Sequence, residues 1–319
     1  MNDEGMRNPV FDIMKGVAIL LMFVGHMAIP ADGFLNRFIY SFHMPLFFLL
    51  AGYFAKSCEE AQVSNTKMLI NDCKRLLVPY IITSAAILLF TLMRVLIKHD
   101  VSILMDKFYH ILYRFDIIPI WFLIALLWIR VLFRPMMRLG RWALPVSIII
   151  SGAAIFFVHH YTQLPFCILT ALSSLVFYAI GWWHKRYGFP RWLIVCAVVC
   201  WIGVMMGSRI DLYNVAYGIY PLTLLGASGA TYAIYKIASF VHQRWEKSVI
   251  LSALRWVGFN SLILICFHAF DIYCCYVTMV LDGMFGIELS YWPIQIIRDV
   301  LVFMLSWLYV TFVRPIVKR

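Results

Sequence analysis

Long apolar stretches alternate with short polar breaks along the whole chain. Runs of roughly membrane-spanning length fall near residues 10–30, 37–55, 77–97, 118–134, 142–159, 165–184, 191–207, 214–238, 256–280 and 294–314. A helix needs about 20 such residues to cross a bilayer. Backbone in hydrocarbon must satisfy its own hydrogen bonds, so these runs read as helices. The pattern predicts an all-α, polytopic membrane protein with about ten transmembrane helices. The longest polar break, 56–76, has helical spacing. The segment 98–117 is mildly amphipathic, as a helix lying along a membrane surface would be. With no internal repeat, low-complexity tract or linker in view, residues 1–319 read as a single transmembrane domain.

Composition sharpens this picture. The chain is 63% hydrophobic and 13% charged, whereas soluble domains carry about 25% charged residues. Its net charge of +11 suggests nucleic acid at first sight, but the cations fall in short clusters between apolar runs. Counting Lys and Arg on alternate sides gives twenty with the amino terminus and even-numbered loops, against seven with the odd-numbered loops. That asymmetry places both termini in the cytoplasm and removes the nucleic-acid reading. The first apolar run is too long, and too polar in its middle, for a cleaved signal peptide. Eight cysteines form no disulfide framework. Cys196, Cys200, Cys266, Cys274 and Cys275 lie in apolar runs, where free Cys behaves as a small hydrophobe, and no Cys/His spacing resembles a metal site.

Ionisable groups inside the apolar runs carry the chemical signal. Lys15 and His26 are eleven residues apart in FDIMKGVAILLMFVGHMAIP. At ~1.5 Å per residue they stand ~16 Å apart on roughly the same face. Asp12, three residues before Lys15, supplies a counter-charge there. His43 in the second run and His268 in the ninth fall in the central-to-outer part of the bilayer, with Asp271 one turn beyond His268. A lone buried histidine also serves simply as a hydrogen-bonding core residue. Histidine suits general-base work because its pKa lies near neutrality. Lys74 and Arg75 precede the third run, where they either anchor it on the cytoplasmic side or hold a nucleotide phosphate. Trp121, after Pro119, is either an interfacial anchor or a sugar-stacking platform.

At these residues the chain resembles the acyltransferase-3 family of bacterial integral membrane acyltransferases, in particular its short, fucose 4-O-acetylase-like sugar O-acetylases. The resemblance runs in family order through FDIMKGVAILLMFVGH, FIYSFHMPLFFLLAGYF, KRLLVPY, PIWFLIALLW, FYAIGWWHKRYG and WVGFNSLILICFH. It implies a ten-span core in the bacterial cytoplasmic membrane that uses cytoplasmic acyl-CoA to acylate a saccharide, often lipid-linked or at the outer face. By motif position His26 is the catalytic histidine, accompanied by Lys15 and Asp12. His43 belongs to the second signature. Lys74 and Arg75 match a basic donor motif that holds several arginines in relatives. Trp121, His268 and Asp271 are taken as acceptor-binding candidates.

Acetyl-CoA is the implied donor, with succinyl-CoA an alternative because no residue reports acyl length. Saccharide and membrane lipid are the expected partners; nucleic acid and metal are not. Larger relatives append a soluble hydrolase-like domain. This chain is expected to complete transfer within its membrane domain. A transporter or flippase of a glycan precursor is the alternative reading, disfavoured by the lack of an inverted repeat.

Overall fold

A computed structural model describes residues 8–26, 33–98, 101–160, 164–207, 210–274 and 291–317. Among the described residues every regular element is helical, apart from one isolated bridge between Asp211 and Ala216. The helices are α1 (Pro9–Gly25), α2 (Phe34–Tyr40), α3 (His43–Tyr53), α4 (Cys58–Ala61), α5 (Asn65–Asp72), α6 (Val78–Lys98), α7 (Ser102–Phe108), α8 (Trp121–Met136), α9 (Ala143–His160), α10 (Ile168–Tyr187), α11 (Arg191–Gly207), α12 (Tyr220–Trp245), α13 (Val249–Phe259), α14 (Ser261–Cys274), α15 (Tyr291–Leu308) and α16 (Arg314–Val317).

Each of the ten apolar runs carries a helix. Among the described residues four stretches are both long and apolar enough to cross a membrane: Phe34–Tyr53, Asn65–Leu96, Trp121–His160 and Pro293–Ile316. The bent pair α13–α14 makes a fifth if counted as one span. The sequence reading of ten exceeds this number for physical reasons. Helices α1 and α11 have 17 residues each. Longer helices α10 and α12 are diluted by Ser, Thr, Trp and Tyr. Two expected spans join in Trp121–His160, which kinks at Gly140 with φ 57°.

The chain packs as two compact units. One comprises Met1–Met68, Trp128–Gln163 and Ile168–Ser261; the other comprises Leu69–Leu127, Leu164–Cys167 and Leu262–Arg319.

In the first unit α1 starts where Asn8 accepts the Val10 N–H at 2.9 Å and Pro9 opens the first turn, a favoured start because Pro lacks the donor that a first turn leaves unused. It packs against α13 through Gly16 and Gly258. A Cβ on Gly16 would meet the Leu254 carbonyl oxygen at 2.2 Å, and one on Gly258 would meet the Asp12 carbonyl oxygen at 1.8 Å. Helices α3 and α10 cross in the same way. A Cβ on Gly52 would lie 1.9 Å from the Tyr178 oxygen, and one on Gly181 would lie 1.9 Å from the Leu49 oxygen. In lipid, where apolar side chains gain little by leaving their surroundings, such close backbone approach is a main source of helix association.

The break between α2 and α3 is held by Ser41, which donates to the Phe38 carbonyl at 2.6 Å and accepts the Trp201 indole N–H at 2.8 Å. Helix α4 opens with a capping box between Ser57 and Glu60. Glu60 also pairs with Arg186 at the end of α10, whose guanidinium lies 4.3 Å from the Trp182 ring centroid. The Ser57 backbone N–H, and then Arg186, hold the Glu60 carboxyl below its ordinary value.

In the second unit, helix continues from α5 into α6 through a π-helical turn, Cys73–Leu77. Helix α6 packs on α7. The Tyr80 ring stacks on Phe115, and its hydroxyl donates to the Ile111 carbonyl at 3.2 Å.

Candidate active site

The polar residues of α1 meet as their spacing predicts. Lys15 Nζ lies 2.7 Å from Asp12 Oδ1; the Asp12 side chain is 9% exposed and the Lys15 side chain 21%. The α1–α13 crossing passes over this same turn, because Gly258 sits against the Asp12 carbonyl. The glycine of the WVGFN motif thus fixes the backbone beneath the ion pair. Asn260 of that motif ends α13, and its Nδ2 donates back to the Trp256 carbonyl at 2.9 Å.

At the other end of α1, half-buried His26 is the C-cap residue, with its backbone N–H on the Met22 and Phe23 carbonyls. The preceding Gly25 lies close against α2: a Cβ there would meet Ile39 Cγ2 at 3.2 Å and Tyr40 Cε2 at 3.4 Å. Buried His43 touches the same two residues from α3. Its Nδ1 lies 2.9 Å from the Ile39 carbonyl oxygen, and its ring meets Tyr40 edge-on at 4.9 Å. A carbonyl only accepts, so Nδ1 carries a proton here. Gly25, next to His26 in the chain, and His43 thus meet the same Ile39–Tyr40 pair. Tyr40 was not singled out in the sequence.

The second unit holds the other five candidates. Lys74 and Arg75 are exposed on the π-helical turn, within a continuous helical stretch rather than a loop ahead of it. Trp121 is buried at the start of α8. His268 is fully buried on α14.

Asp271, one turn on and equally buried, is bound by Arg298 of α15. Arg298 Nε lies 3.0 Å from Asp271 Oδ2, and Nη2 lies 3.3 Å from the Asp271 carbonyl. Arg298 Nη1 reaches Gln295 Oε1 at 3.5 Å, and Gln295 Nε2 donates to Asp299 Oδ1 at 3.1 Å. Counted by sequence among the outer-loop cations, Arg298 is instead the centre of a buried polar network. The stripe Gln295, Arg298 and Asp299 inside an apolar run was its sequence trace.

The apolar helices make this a multi-pass membrane protein, and an ion pair and two buried histidines lie within them. The model of the acyltransferase domain of the acyltransferase-3 family matches residues 8–311. The chain belongs to that family and is a membrane acyltransferase. No curated protein and no solved structure matches it.

Proposed function

We propose that this acyltransferase is a sugar O-acetyltransferase of the fucose 4-O-acetylase-like kind. It moves an acetyl group from cytoplasmic acetyl-CoA to a hydroxyl of a cell-surface or lipid-linked saccharide. The observation that carries this reading is α1 itself, with the Asp12–Lys15 ion pair at one end and His26 capping the other in a chain of this family. His26 takes the hydroxyl proton as the acceptor oxygen attacks the thioester carbonyl. The new C–O bond forms, the C–S bond breaks, and the proton passes to the departing thiolate to give free CoA. His43, which also packs on Tyr40, belongs with the acceptor-binding residues.

Lys74 and Arg75 hold phosphate groups of the donor, for which charge-assisted hydrogen bonds suit them. Trp121, His268 and Asp271 serve acceptor binding. The protein crosses the bacterial cytoplasmic membrane ten times with both termini inside, in line with the Lys/Arg asymmetry.

The test is incubation of purified protein with radiolabelled acetyl-CoA and a set of bacterial surface glycans. Label in the glycan only when both substrates are present is the expected result. Glycan movement across vesicles without acetylation would replace this reading with that of a carrier.

A further inference from the structure

The segment from α7 to Asp116 takes no part in the chemistry above, yet it is built as a binding face. Helix α7 runs into a π-helical turn, Tyr109–Arg114. Asp106, Tyr109, His110 and Tyr113 recur along it at intervals of three and four, and so share one side. The side chain of Asp106 is 54% exposed and that of His110 36%. Both tyrosines are exposed, and their rings stack at 5.3 Å with 27° between planes.

The support beneath is rigid. Asp116 is buried, and its two oxygens accept from His110 Nδ1 at 2.7 Å and Arg114 Nε at 2.9 Å. Phe115 takes a left-handed φ of 55°, as do Phe166 (61°) and Cys167 (53°). The latter two donate their backbone N–H groups to the Tyr113 and Arg114 carbonyls at 3.0 and 3.1 Å. Three non-glycine residues in this conformation persist only where the surroundings over-determine them. The carboxylate of Asp116 fixes the His110 ring so that Nε2 faces away from it, 3.6 Å from Asp106 Oδ1.

We propose that this face binds a saccharide. Flat, exposed tyrosine rings present an apolar surface to the C–H face of a sugar. Asp106 and His110 Nε2 stand apart by a distance that lets each bond one of two neighbouring hydroxyls. The charges on the face balance: Lys107 Nζ lies 2.8 Å from Asp106 Oδ2, and Arg114 pairs with Asp116. A neutral polyhydroxy ligand fits such a face better than an anion or a cation. Binding here does not depend on the acyl chemistry proposed above.

The experiment is a saturation-transfer NMR titration of the full-length protein in detergent micelles, without acyl donor. The probes are maltoheptaose, a galacto-oligosaccharide and a rhamnose oligomer. At least one should bind saturably, and Tyr109→Ala, His110→Ala and Asp106→Asn should each weaken it about tenfold, the scale of one charge-assisted hydrogen bond. Tyr109→Phe and the exposed variant Trp192→Ala on α11 should bind as the native chain does. If Tyr109→Ala or His110→Ala does not fold, Asp106→Asn on the exposed surface decides. Failure of all three probes to bind, or equal binding by native and Asp106→Asn protein, overturns the proposal. Equally, binding only to vesicles containing phosphatidylinositol, lost in the same variants, would reassign the face to a lipid headgroup. Acetyl transfer is measured separately, so neither result prejudges the other.

Discussion

Arg298 binds Asp271 across 27 residues of sequence, with Nε 3.2 Å from one carboxylate oxygen and Nη2 2.8 Å from the other. Both groups sit in apolar helices, and Asp271 is fully buried. Removing one partner of such a pair strands the other's charge and costs ~3–5 kcal/mol, whereas replacing both by apolar groups is often close to neutral. Asp271→Leu and Arg298→Met should each lower the thermal midpoint in detergent strongly. The double variant should be more stable than either single one. Additive losses in the double-mutant cycle would mean that the pair is not coupled as its geometry requires.

His26→Ala should abolish acetyl transfer while expression and membrane insertion stay intact. Loss of a positioned general base lowers rates by ~10²–10⁴-fold. The readout is turnover with saturating donor and acceptor, and near-native turnover would remove His26 from the mechanism.

Changing Lys74 and Arg75 together to Gln should raise the KM for acetyl-CoA about tenfold or more, since each charge-assisted bond contributes ~1.5–3 kcal/mol. The KM for the acceptor should move far less. An unchanged donor KM, with cysteine labelling showing unchanged topology, would leave these residues as membrane anchors.

A methyl group at the α3–α10 crossing has nowhere to go. Gly52→Ala or Gly181→Ala places Cβ 1.9 Å from a backbone oxygen, and overpacking of this kind costs ~1–3 kcal/mol or more. Gly207→Ala, where nothing lies within 4 Å, should leave the melting temperature within error. Equal midpoints for all three variants would show that the crossing is looser than described.

Acid should weaken the Glu60–Arg186 contact. The folded-state pKa of Glu60 is depressed from its ordinary value of 4.5. Its ionised form therefore stabilises the fold above that value, and the contribution disappears as pH falls through the lower, folded value. The difference in melting temperature between native and Glu60→Gln protein should be largest near neutrality and vanish as pH falls through the folded-state value. It should be small, because the pair is open to solvent. A difference that does not change with pH would mean that ionisation of Glu60 plays no part.

What the sequence revealed tracks how local each feature is. The Asp12–Lys15 pair was legible because three residues on a helix suffice to bring the groups together. The all-helical character followed from run length and composition. The break at Ser41–Phe42 was hidden within an apolar run, since nothing in FIYSFHMPLF announces that Trp201 will bond Ser41. Partners distant in sequence were equally hidden. Arg298 counted as a topology charge because its carboxylate lies on another helix. The His110–Asp116 bond depends on a left-handed turn at Phe115, a conformation that phenylalanine does not advertise. The glycines of FFLLAGYF and FYAIGWW were visible as motif letters, but not as two halves of one contact.

That contact also shapes what genetics can do with it. At Gly52 and Gly181 each missing Cβ is excluded by the opposing helix's main chain rather than by a side chain that another substitution could trim. Both positions already carry the smallest residue available. A strain crippled by Gly52→Ala should therefore regain function by reverting, not by a compensating change at Gly181, and the two positions form a lock that second-site suppression cannot open.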